Sequence, residues 1–166
     1  MLAKRLATGF ALAAFAIVVV IWAPYWFVTL VVMAIAGVCL SEYVGMTMAK
    51  DAPVDRHLTM GLGLATVASM SGGAAGASAG LSLALVASAA HTLFRFGTIE
   101  EAPSKLAVRW TGIVYCGFFF GHYLLLRPHA HGWELILTTF VASFLGDTAA
   151  YFAGRRFGKT PLYAAV

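Results

Sequence analysis

Charge is what this chain has least of. Of its 166 residues only 11% are Asp, Glu, Lys or Arg, against roughly 25% in an ordinary soluble domain. No charged residue occurs in the 36 positions between Arg5 and Glu42, nor in the 38 between Arg56 and Arg95. Such gaps exclude a soluble globular domain and a disordered chain, both of which need solvated charge. There are two cysteines, with no CxxC pair, which excludes a disulfide-stapled secreted module and a cysteine-ligated metal site. Cys39 and Cys116 both fall inside apolar stretches and read as small buried residues.

What fills the gaps is apolar. Hydrophobic residues make up 61% of the sequence, and mean hydropathy is +0.85. A bilayer core takes about 20 residues of helix, so each uncharged run is too long for one crossing and reads as two helices with an uncharged turn. The expected spans are 6–23, 25–46, two dividing the next run near Ser71-Gly72-Gly73, 106–126 and 132–154. Pro24, flanked by Trp22, Tyr25 and Trp26, marks an interfacial turn between the first two. The segment from Lys50 to Arg56 reads as a polar loop. The first apolar stretch runs to about 18 residues without a small-x-small cleavage site, so it reads as a retained span and not a signal peptide. With no strand alternation and no viable open strand in hydrocarbon, the fold class is all-α: a polytopic membrane protein of about six helices forming one transmembrane domain over 1–166.

The net charge of +4 does not form a nucleic-acid surface, because its basic residues are scattered through short loops. With the N-terminus placed in the cytoplasm, Lys4, Arg5, Lys50, Arg56, Arg95, Lys105, Arg109, Arg155, Arg156 and Lys159 fall at the inner side and Arg127 alone outside. That asymmetry places both termini in the cytoplasm. Gly72, Gly76 and Gly80 repeat at four-residue spacing, which either lets two helices approach closely or breaks the chain between spans three and four.

An ionisable group inside a bilayer costs about 2.5–3.5 kcal/mol on insertion scales and is therefore a functional candidate. Asp147 is such a group, eight residues before Arg155, or about 12 Å along a helix. Ser143, Asp147, Tyr151 and Arg155 recur every four residues and share one face. A carboxylate suits Mg²⁺, and clustered Arg155, Arg156 and Lys159 suit phosphates. The alternative is that Asp147 pairs with a neighbouring helix while the basic residues set topology. Gly154 to Thr160 is not a phosphate-binding P-loop, because three residues separate its glycines where that motif has four. Glu42 either reaches the same mouth or sits at the interface. His91 and His122 read as packed histidines, and His129, His131 and Glu134 match no familiar ligand spacing.

The segment Gly146-Asp147-Thr148-Ala149-Ala150-Tyr151-Phe152-Ala153-Gly154-Arg155-Arg156-Phe157-Gly158-Lys159 resembles a stretch of the bacterial phosphatidate cytidylyltransferases, the CDP-diacylglycerol synthases, which commonly read D-T-x-A-Y-x-x-G-[RK]-x-F-G-K. Leu2 to Arg5 before an apolar span is similar to their N-terminus, Ser41-Glu42-Tyr43 to the W-E-[YF] that ends their second helix, and Gly112 to Tyr115 through Arg127 to their G-x-x-Y…L-x-x-x-R helix. The resemblance implies transfer from CTP to phosphatidate, giving CDP-diacylglycerol and pyrophosphate with Mg²⁺, in a multi-pass protein of the inner (cytoplasmic) membrane. It places Asp147 near the metal and nucleotide, and Arg155, Arg156 and Lys159 on phosphates. Gly154 and Gly158 would let backbone approach the ligand, and Tyr151 would wall the site beside Ser143. The partners implied are CTP, phosphatidate and the bilayer, no nucleic acid, and a second copy as an open alternative. The family's later S-P-x-K-T-x-E-G stretch and acidic C-terminal signature do not occur in these residues, so the expectation is an N-terminal part needing that region for turnover. The competing expectations are a non-catalytic helical scaffold or carrier, and a related CTP-dependent kinase of a lipid alcohol.

Overall fold

In a computed structural model the chain is described over residues 2–48, 52–95 and 100–158, with side chains from Ala7 onward. Helix α1 spans Leu2–Trp22, α2 Tyr25–Thr47, α3 Pro53–Met70 and α4 Gly73–Arg95. Helix α5, Ala102–Gly112, continues through a π-helical segment, Ile113–Phe118, into α6, Phe119–Leu126, and α7 spans Gly132–Phe157. Gly112 and Phe118 hold ordinary α dihedrals at both joints, so these three pieces form one continuous rod at the fifth crossing expected from sequence. No strand occurs among the described residues. Six helical rods, as the hydropathy predicts, make up an all-α membrane fold.

Three helices, Tyr25–Thr47, Gly73–Arg95 and Gly132–Phe157, are long and apolar enough to cross a membrane on their own. The other rods fall short for identifiable reasons. Helix α3 carries Asp55, Arg56 and His57 in its first turns, the fifth rod is divided by its π segment, and the apolar part of α1 is Ala7–Trp22. Large apolar side chains point outward all around the bundle, among them Phe10, Phe15, Leu93, Phe94 and Phe144. A patch of that extent is stable facing hydrocarbon and not water.

Helix α3 is the hub, packed by α2, α4 and the π segment. Its partners approach through glycine. Gly73 takes φ +76° at the start of α4, a left-handed turn that glycine adopts without steric cost. One turn further, a Cβ on Gly76 would collide with the Ser69 carbonyl, and one on Gly80 with the Ser69 hydroxyl. Gly72 and Gly73 thus turn the chain, while Gly76 and Gly80 seat α4 on α3, so both readings hold.

A second glycine line runs down the fifth crossing. A Cβ at Gly112 would lie 2.7 Å from Tyr43 Cε1, and at Gly117 2.9 Å from the Gly63 carbonyl oxygen, while one at Gly121 would strike Met70 Sδ. Gly112 and Gly117 are five residues apart, which an α-helix would place on different faces. The wider π turn between them absorbs the extra residue and keeps both against the α2–α3 surface. An apolar cluster of Val19, Val28, Val32, Ala36, Val67 and Leu124 joins α1, α2, α3 and α6.

At the far end Tyr25 donates its hydroxyl to the Leu124 carbonyl at 3.2 Å. Arg127, the single basic residue expected outside, donates to the carbonyls of Ile21 and Ala23 at 3.4 and 3.3 Å, closing the last turn of α1.

One assignment from sequence is corrected here. Asp55 and Arg56 do not lie in a loop: Pro53 starts α3, since proline has no N–H to lose in a first turn and its φ is already helical. Arg109 keeps the end of the bundle expected for it but faces inward. It is 1% exposed, drawn inward by the partners described next.

Candidate functional site

Helix α7 carries the segment singled out by sequence. It touches α1 and α6, through Gly132, through Ile136 and through Phe140, whose ring lies 5.4 Å from that of Tyr123. Beyond Phe140 every described position to Gly158 is exposed. Ser143, Asp147, Tyr151 and Arg155 therefore form a strip on one open helix, brought together by the helical repeat alone. No side chain of another described helix meets Asp147. Arg156 Cζ stands 5.9 Å from the Phe157 ring. A Cβ at Gly154 would meet open space, whereas one at Gly158 would strike the Gly154 carbonyl that the Gly158 N–H already bonds at 2.9 Å. Gly158 thus closes the helix, and Gly154 leaves its side open to an incoming group. Lys159 lies outside the described residues.

Glu42 is exposed on α2, a helix that makes no contact with α7, so it does not reach this strip. His122 bonds the Phe118 carbonyl from Nδ1 at 2.9 Å, one turn back on its own helix. His131 pairs with Glu134 at 3.2 Å. Among the described residues no group of three His, Cys, Asp or Glu converges on a point.

The strongest polar constellation is one that hydropathy and motif did not reveal. Arg109 Nη2 donates to Asp55 Oδ1 at 2.5 Å, and Nη1 donates to Thr92 Oγ1 at 3.0 Å and to the Ser88 carbonyl at 3.3 Å. His91 Nδ1 lies 3.5 Å from the same Asp55 oxygen. Four side chains from α3, α4 and α5 thus meet at the end of the bundle that carries the α2–α3 and α4–α5 connections. A cavity of about 330 Å³ opens beside them, bounded by Thr47, Asp55, Ser104, Lys105 and Arg109. At its rim Lys105 Nζ pairs with Glu101 Oε2 at 2.8 Å, and this hydrogen bond holds the Glu101 carboxyl below its ordinary range. The available sequence signal was an arginine at the entry to an apolar stretch, where an inward-facing charge calls for a partner. Its distance from Asp55, 54 positions away, concealed which one.

Two of the resembling motifs also meet. Tyr43 lies over Gly112 and donates its hydroxyl to the Val108 carbonyl at 2.8 Å, joining the end of α2 to the start of the fifth crossing.

An all-helical bundle with a lipid-compatible surface, helices long enough to cross a bilayer and polar groups gathered at its ends defines a polytopic membrane protein. The chain matches the cytidylyltransferase family over residues 3–166 and belongs to it. Its class is accordingly that of a nucleotidyltransferase using CTP. No curated protein and no solved structure matches it.

Proposed function

We propose that the chain acts in CTP:phosphatidate cytidylyl transfer at the inner (cytoplasmic) membrane, with the open strip of α7 as its nucleotide-facing element. Membership of the cytidylyltransferase family over residues 3–166 carries this reading, and the phosphatidate specificity rests on the resemblance of the Asp147 segment. A phosphatidate phosphate oxygen attacks the α-phosphorus of CTP. The new P–O bond forms as the bond to the β-phosphate oxygen breaks, and pyrophosphate leaves with that electron pair. Little covalent work falls to the protein, so catalysis consists of aligning two anions and neutralising their charge.

The strip suits that task. Arg155 and Arg156 present guanidinium forks that match phosphate oxygens, Gly154 leaves backbone accessible, and Tyr151 and Ser143 offer hydroxyls on the same face. Mg²⁺ is commonly held by one or two carboxylates together with substrate phosphates, a donor set that the unobstructed Asp147 fits as a single protein ligand. Bound there, the ion would neutralise triphosphate charge. The uncovered half of α7 is the surface on which the family's acidic C-terminal signature would complete the site.

The test is CTP-dependent formation of CDP-lipid and pyrophosphate from phosphatidate, in membranes containing the chain joined to that C-terminal region. Asp147→Asn should lower turnover by about 10²-fold or more, as removal of one electrostatic stabiliser does elsewhere. Turnover equal to wild type would remove Asp147 from the site. A phosphorylated alcohol with CDP as products would instead identify the kinase chemistry. No nucleotide binding at all would leave a scaffold.

A further inference from the structure

We propose that His91 is a proton-sensitive latch on the Asp55–Arg109 pair: neutral in the closed bundle and, once charged, releasing α5 from α3. The latch does not depend on transferase chemistry.

One carboxylate oxygen serves two other helices. Asp55 Oδ1, on α3, accepts from Arg109 Nη2 of α5 and lies 3.5 Å from His91 Nδ1 of α4. While His91 is neutral, Asp55 and Arg109 balance each other and the tie between α3 and α5 is complete. A charged imidazole brings a second cation to the same oxygen, and with it repulsion of the Arg109 guanidinium. Arg109 is buried, so water cannot make up the difference unless α5 moves. Its other partners, Thr92 Oγ1 and the Ser88 carbonyl, are neutral. A buried cation deprived of its carboxylate is strongly unfavourable, and relief comes from carrying the guanidinium outward to water. What then holds α5 is one neutral bond, from the Tyr43 hydroxyl to the Val108 carbonyl, and the packing of Tyr43 on Gly112. The π turn that follows, Ile113–Phe118, is where a helical rod bends most readily.

The surroundings single out His91 as the group that responds. Its side chain is 17% exposed, open enough for protons to arrive but too enclosed for a charged ring to be well hydrated. Among the described residues one acid acts on it, Asp55, against two cations, Arg109 of α5 and Arg95 one turn along α4. Beside Asp55, α3 also carries Arg56 and His57, the latter held to the Pro53 carbonyl at 2.6 Å. Lys105 of α5 is paired with Glu101. The π segment and α6 also touch α4 but carry no Asp, Glu, Lys or Arg. Their one histidine, His122, bonds the Phe118 carbonyl on its own rod. Free imidazole titrates near about pH 6.5. The tie is therefore complete above that value, where His91 is neutral, and weakens as pH falls below it.

The experiment is amide hydrogen exchange on the full chain in detergent micelles, at about pH 7.5 and about pH 5, corrected for the intrinsic pH dependence of exchange. Opening of α5 amides should rise about tenfold at the lower pH, the ratio set by a one-unit difference in proton affinity between closed and released states. Opening of α2 and α6 amides should rise much less. His91→Asn should make α5 opening equal at both pH values, with His91→Gln as a second variant should the first fail to fold. His57→Gln and His122→Gln should keep the wild-type response. Wild-type α5 opening that ignores pH overturns the proposal without any variant. A response of full size in His91→Asn or His91→Gln also overturns it, as does one shared equally by α2 and α6, which would mark general acid unfolding.

Discussion

Arg109 and Asp55 join the fifth crossing to the first turn of α3 through a 2.5 Å contact between residues 54 positions apart. Together with the Arg109 bonds to Thr92 and Ser88, it ties three helices at one end of the bundle. Removing one member of such a pair leaves the other charge buried without compensation, at a cost of about 3–5 kcal/mol. Arg109→Met should lower the thermal midpoint in detergent most. Asp55→Asn, which keeps an acceptor for Nη2, should lower it less. Equal small effects from both would mean the pair is solvated and not buried.

The glycine contacts between α3 and α4 allow a sharper contrast. Gly76→Val should destabilise by about 1–3 kcal/mol or more, because its side chain must displace the Ser69 backbone. Gly61, in the same part of the sequence, has nothing within 4 Å of a built Cβ. Gly61→Ala should be neutral or stabilising by about 0.5–1 kcal/mol through its gain in helix propensity. Denaturation followed by circular dichroism in one detergent separates the two.

Along the fifth crossing the π turn should be sensitive to register. Gly117→Ala places a methyl 2.9 Å from the Gly63 carbonyl oxygen, and a loss of about 1–3 kcal/mol is expected. Deleting Val114 would remove the extra residue of the π turn and swing Gly112 off Tyr43. Proteolysis of the α2–α3 connection in micelles should then accelerate. An unchanged digestion rate would show that the glycine line tolerates an α register.

Asp147 offers the opposite profile. With no described neighbour around it and exposure on α7, Asp147→Asn should shift stability by no more than about 0.5 kcal/mol, as substitutions away from packed features do. A large drop in the thermal midpoint would mean that Asp147 is a structural partner and not a ligand-facing group.

Much of this protein was legible in the order of its residues. Six rods, the breaks at Pro24, at Ser71-Gly72-Gly73 and before Trp133, and the absence of strands all follow from local quantities: hydropathy summed over a bilayer thickness and the backbone preferences of glycine and proline. The Ser143–Arg155 strip was equally visible, because a four-residue repeat is a property of one helix. Tertiary structure alone decided that Arg109 turns inward to Asp55, that Tyr43 closes over Gly112, and that the second half of α7 stays uncovered. Each depends on which helix lies beside which, and in hydrocarbon that choice rests on close packing and a few polar contacts between distant residues, not on hydrophobicity, which every rod here shares.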